Sequence, residues 1–162
     1  MKLLIEGLFM GVLLVAYCLL GIRKGAVGLV HLYHQDVQDR CVELGLTTYE
    51  QIRKRKKLFK TGGIFAYLVY VLVCVYLVNG ARGFLPDFFQ IFVILSIGNL
   101  IDRIGIDWYW VEKTETWTIP GTEDLMPYMN RHDKIFKWLS GTVGLAVMAA
   151  ILAGIMAVIL RS

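Results

Sequence analysis

Four apolar blocks, Leu3–Leu20, Ile64–Val78, Phe88–Ile101 and Trp138–Leu160, alternate with polar connections along the chain. At about 1.5 Å of rise per residue, a helix of this length crosses most of a ~30 Å hydrocarbon core. Inside lipid every backbone N–H and C=O must be bonded within the protein, which leaves the helix as the natural form for such blocks. The chain therefore reads as an all-α integral membrane protein, a single four-helix transmembrane domain over residues 1–162. Its spans lie at about 3–21, 62–79, 87–106 and 138–160, with two short cytoplasmic helices between spans one and two. The 57 % hydrophobic content and mean hydropathy of +0.59 exceed those of an ordinary soluble domain, about 45–50 % apolar.

The first block could instead be a cleaved leader. Against that, Lys2 is the only positive charge before it and no small-x-small pattern follows it. Tyr17 directly before Cys18 also spoils a lipid-attachment signal. The block is read as a retained span.

Charge sets the orientation. Of the seventeen Lys and Arg residues, fourteen lie between Arg23 and Lys60 or between Arg103 and Lys137. Only Lys2, Arg82 and Arg161 lie on the other side. Positive charge is retained on the cytoplasmic side, so both long connections are placed there and both termini are non-cytoplasmic. The same argument explains the net charge of +4 without a nucleic-acid partner. Membrane lipid, a homo-oligomer or a larger membrane complex are the partners expected. The run Arg53, Lys54, Arg55, Lys56 and Lys57 is the candidate for anionic headgroups, although a simple anchor for span two is the favoured reading of it.

The first connection carries helical signals. Val37, Cys41 and Leu44 form a narrow apolar stripe, and Asp36 and Arg40 are spaced as an i, i+4 pair. Gly45 stops that helix, and Thr47 with Glu50 has the spacing of a capping box that opens another. In the second connection, Ile119-Pro120-Gly121-Thr122 fits a type II turn, and Thr122 is placed to cap a helix begun by Glu123 and Asp124.

Packing motifs are of the small-residue kind. Gly7 and Gly11 form GxxxG in span one. In span four, Ala146, Ala150 and Gly154 recur every four residues, as do Ala149, Ala153 and Ala157. Such stripes let helix backbones approach closely. The first of them is expected to be the packing face, within the protein or in an oligomer.

Chemistry-bearing residues gather near the cytoplasmic interface. Trp108, Tyr109, Trp110 and Trp117 suit an aromatic belt better than a stacking platform. His31, His34 and His132, with Asp102 and Asp107, are the candidate catalytic residues. They are also of the types that bind zinc, iron or manganese, so a divalent metal is the one cofactor class considered. Their spacing matches no established metal motif. The cysteines Cys18, Cys41 and Cys74 are odd in number and lack CxxC spacing, which argues for reduced structural thiols. No P-loop, nucleophile elbow or dinucleotide fingerprint is present.

Asn99, Asp102, Arg103 and Trp110 are the ligand-binding candidates. Arg103 and Asp107 can pair at i, i+4, which leaves Asp102 without a local counter-ion. About 24 Å along span three from Pro86, it is expected to face the bundle interior and meet Lys57, Lys60, His31, His34 or a ligand. The favoured reading of the whole is a non-catalytic subunit or ligand-binding module with a polar Asp/His/Trp site at the cytoplasmic interface. The alternative is a membrane enzyme acting on a lipid or polar headgroup there. A transporter is disfavoured because the spans offer few ionisable groups at mid-depth.

Overall fold

The computed structural model describes residues 1–23, 25–128 and 131–160, the side chains of residues 131–134 excepted. The described residues form helices and turns with no strand. The first apolar block is α1 (Lys2–Ile22). A short 3₁₀ helix (Ala26–Leu32) and α2 (Gln35–Glu43) follow. Helix α3 (Tyr49–Leu72) runs on as a π-helical segment, Val73–Val78. Helix α4 (Phe84–Ile101) likewise continues as a π-helical segment, Asp102–Val111. Two 3₁₀ turns, Glu115–Trp117 and Glu123–Leu125, lead to α5 (Arg131–Ile159). Four helices, Lys2–Ile22, Tyr49–Val78, Phe84–Val111 and Ile135–Ile159, are long and apolar enough to cross a membrane.

The second of the two expected short helices is not separate. It forms the first turns of α3, which runs unbroken through Lys60, Gly62 and Gly63. The change from polar to apolar residues near position 60 marks where the surroundings change, not where the backbone turns. The cap is also one residue later than expected: the Thr48 side chain accepts from the Gln51 N–H at 3.3 Å. Gly45 ends α2 as expected, with the positive φ of +70° that favours glycine. The third and fourth long apolar helices also begin earlier than the expected spans, and the third runs on to Val111.

Helix α4 lies at the centre, packed against α1 on one side and α5 on the other. Gly7 and Gly11 permit the first contact. A β-carbon on Gly7 would stand 2.5 Å from that of Ile97, and Gly11 sits as closely on Ile101. Within the chain, α5 packs through the other stripe. Ala149 and Ala153 are fully buried among Met10, Ile91, Ile94 and Leu95, whereas Gly154 has open space where a side chain would go. Both stripes have the same spacing, and only the rotation of α5 about its axis chooses between them.

A second core lies at the end of the bundle that carries the long connections, hereafter the connection end. Leu29, Val30, Tyr33, Val37 and Cys41 from the first connection pack with Trp117, Ile119 and Tyr128 from the second, and with Ile106. The Tyr33 hydroxyl donates to the Trp117 carbonyl at 3.0 Å. The Tyr128 hydroxyl accepts from the Ile119 N–H at 3.1 Å and lies 2.6 Å from the Thr122 hydroxyl. The Ile119–Thr122 turn closes with the Thr122 N–H on the Ile119 carbonyl, and Gly121 takes a φ of +86°. Thr122 does not cap the next turn through its side chain. Its hydroxyl donates back to the Ile119 carbonyl at 2.8 Å. Arg40 reaches across to Asp124 at 3.3 Å rather than to Asp36, whose carboxylate accepts from the adjacent Val37 N–H.

Candidate functional site at the connection end

Asn99, Arg103 and Asp107 follow one another at four-residue intervals along the end of α4 and its π-helical continuation. They form a polar ladder toward α5. The Arg103 Nε donates to the Asn99 Oδ1 at 3.3 Å. Its Nη1 lies 4.0 Å from the Asp107 carboxylate, at the limit of an ion pair. Lys137 on α5 supplies the closer charge, with its Nζ donating to Asp107 at 2.8 Å. The Arg103 guanidinium is buried, and its Nη2 rests against the backbone of Gly141, where a β-carbon would come within 2.7 Å. Gly141, Lys137 and Trp138 are therefore parts of this site that sequence reasoning missed. Their only signal was position, since all three lie where α5 enters its apolar stretch.

The ladder opens on a cleft of about 220 Å³ lined by Arg103, Ile104, Asp107, Trp108 and Trp138. The Arg103 Nη1 is buried there without a hydrogen-bond partner. Two indoles over an arginine–carboxylate pair make a recess suited to a small polar group on an apolar body. The π-helical stretch matters for this geometry, because such widened turns shift the facing of each residue that follows and recur at functional sites.

Asp102 stands apart from the ladder. Among the described residues its carboxylate has no hydrogen-bond or ion-pair partner. It lies within electrostatic reach of Asp107, Lys137 and Arg103, and of Cys18 on α1 and Tyr67 on α3. It contacts none of the four partners expected from the sequence. Lys57 and Lys60 are exposed on the early turns of α3, and both histidines belong to other sites.

His31 is in the 3₁₀ helix and His34 is the residue that precedes α2, so the two do not share a helix face. His31 is buried with its ring edge-on to Phe59, the centroids 5.3 Å apart. Burial, and then the positive charges of Lys56, Lys60 and Arg55, hold its pKa down at about 4, so the imidazole is neutral. His34 lines a separate recess with Asp36 and Tyr128. The side chain of His132 lies outside the described residues. Among the described residues no three His, Cys, Asp or Glu side chains come together as a metal-binding group. Of the candidate donors within the described residues, His31 and His34 lie in separate recesses, away from the Asp107 cleft.

Trp110 is not in the cleft. It meets Trp117 edge-on at 5.1 Å inside the connection core, and Trp117 is 1 % exposed. The belt reading fits Trp108 and Tyr109, which are exposed, but not Trp117. At the opposite end of the bundle lie two buried acids that sequence reasoning did not single out. Glu6 accepts from the Asn79 amide at 3.0 Å, and the Asp87 carboxylate accepts from the Tyr76 hydroxyl at 3.0 Å.

Comparison of the chain with protein-family models, curated proteins and solved structures returned no match.

Proposed function

We propose that this chain is a multi-pass integral membrane protein, its long connections cytoplasmic and its termini on the other side, that works as a non-catalytic binding module or subunit. Membrane insertion is supported by the outward faces of the helices. On α5 alone Val143, Val147, Ile151, Ile155 and Val158 are all exposed, an apolar face that water would not tolerate. Helices Tyr49–Val78 and Phe84–Val111, of 30 and 28 residues, exceed a ~30 Å core by about two to three turns. The surplus puts the basic run and Trp108 at the interface, where such residues are favoured.

One observation carries the non-catalytic reading. Among the described residues the candidate proton-moving groups lie in separate places, and Asp107, the acid lining the cleft, already pairs with cations. Asp107 is held by Lys137 and Arg103, and His31 and His34 line other recesses. General acid–base work needs such groups to converge on one reacting atom.

Incubating the purified protein with a total lipid extract and following the headgroups by mass spectrometry tests this. Unaltered lipid is the expected result. A new headgroup species that disappears in Asp102→Asn would overturn the proposal in favour of the enzyme.

A further inference from the structure

A groove of about 680 Å³ lies where the end of α1, the 3₁₀ helix and the first turns of α3 meet. Arg23 and Arg55 line it, with His31 in its wall and Leu20, Leu58 and Phe59 among its apolar residues. Among the described residues none that lines it is acidic. The Arg55 guanidinium donates to the Val27 carbonyl at 3.3 Å, which holds that side chain across the groove. Lys56 and Lys60 add positive potential around His31.

The depth of the groove is set by its neighbours. The Tyr17 hydroxyl donates to the Phe59 carbonyl at 3.0 Å, so Phe59 is level with the last turns of α1. Leu20 and Leu58 are 69 % and 73 % exposed. Leucines so exposed, with arginines within a turn of them, are the sequence of environments met on passing from acyl chains to headgroups. One turn deeper, a second and almost wholly apolar cleft lies between α1 and α3, lined by Leu13, Leu14, Tyr17 and Tyr67.

His31 is the second, independent observation. It is only 6 % exposed, and neither ring nitrogen has a hydrogen-bond partner. A neutral imidazole carries one donor and one acceptor, and leaving both unmet is costly. Packing alone would be served as well by phenylalanine. A ligand oxygen in the groove, met by a turn of the ring, accepts from the imidazole N–H, one of the two groups that the protein leaves open.

We infer that this groove binds one anionic glycerophospholipid, its phosphate between Arg23 and Arg55, a headgroup or ester oxygen toward His31, and its acyl chains along Leu20 and Leu58. Planar guanidinium groups suit a phosphate diester better than ammonium groups do. This differs from the sequence-level expectation, in which the whole run from Arg53 to Lys57 was the headgroup candidate. Only Arg55 of that run enters the groove. The inference rests on the proposed membrane setting, but not on the absence of catalysis.

Native mass spectrometry of the full chain in a non-ionic detergent, titrated with dioleoyl-phosphatidylglycerol, reads the site directly. One tight adduct is expected, weakened about thirtyfold by R23Q/R55Q together, the loss of two basic contacts. R23Q alone leaves the Arg55–Val27 bond intact and should weaken it about fivefold. H31F should weaken it as well, whereas R53Q/K54Q, outside the groove, should change it by less than about threefold. Dioleoyl-phosphatidylcholine should bind more weakly, and inorganic phosphate should give no adduct. Unchanged binding in R23Q and H31F would overturn the inference. So would an equal loss in R53Q/K54Q, which means surface charge only, or phosphate binding as tightly as the lipid, which means a soluble ligand. Lipid turnover in the headgroup assay would leave this result standing, so the two proposals fail separately.

Discussion

Tyr33 donates its phenolic proton to the carbonyl of Trp117, 3.0 Å away and 84 residues along the chain. The bond ties the first long connection to the second, and the two tyrosine rings beside it, Tyr33 and Tyr128, lie 4.5 Å apart. Burial pushes the Tyr33 phenol well above its usual range, so the proton stays in place at any ordinary pH. Tyr33→Phe should lower stability by about 1–2 kcal/mol, because it leaves a buried carbonyl unpaired. Thermal unfolding in detergent, with tryptophan fluorescence as the readout, checks this. An unchanged midpoint would mean that the two connections are not tied through this bond.

The two small-residue faces should respond oppositely. Gly11→Val drives a side chain into Ile101 and should cost at least about 1–3 kcal/mol by overpacking. Gly154→Leu meets open space and should leave the midpoint of the monomer unchanged. Unfolding of both variants side by side decides the point, and a loss in Gly154→Leu matching that in Gly11→Val would refute the placement of α5.

Asp107 should matter more to stability than Asp102. Asp107→Asn removes the carboxylate that Lys137 and the buried Arg103 share, at a cost of about 2 kcal/mol. Asp102→Asn removes no bonded partner and should stay within about 1 kcal/mol. Equal midpoints for the two variants would show that the ladder does not hold α4 to α5.

His31 predicts an acid sensitivity. Its folded pKa of about 4 lies below the usual 6.5, so the unfolded chain takes up a proton that the folded chain refuses. The contribution is fully present above pH 6.5 and is lost as pH falls toward 4, on the order of 3 kcal/mol in all. His31→Phe removes it. The drop in midpoint between pH 7.5 and pH 4.5 should therefore be smaller in the variant. An identical drop in both proteins would count against a buried neutral imidazole.

The orientation is checked by single cysteines. Cys18, Cys41 and Cys74 are buried, and burial also raises the Cys41 thiol pKa, so the native thiols should label poorly. Cysteines placed at Glu50 and at Arg82 should react with an impermeant maleimide from opposite sides of intact vesicles. Reaction of both from the same side rules out the proposed topology.

Helix class, the number of long apolar helices, the stops at Gly45 and Gly121 and the GxxxG contact were all legible in the sequence. Each depends on a local property: apolar length, positive φ at glycine, or the absence of a side chain. What the sequence could not decide was rotation and partnership. Ala146/Ala150/Gly154 and Ala149/Ala153/Ala157 have identical spacing, and only the docking of α5 on α4 buries the second. Asp36 and Arg40 have pair spacing, yet Arg40 bonds Asp124, because the folded second connection brings that carboxylate within 3.3 Å. Arg103, Lys137 and Gly141 form one site only because two helices distant in sequence meet there, on turns widened to the π-helical form. His31 likewise gained its meaning from the groove around it. Local sequence decides the conformation that each segment adopts, whereas charge pairing and cavities depend on distances between segments, which only tertiary packing sets.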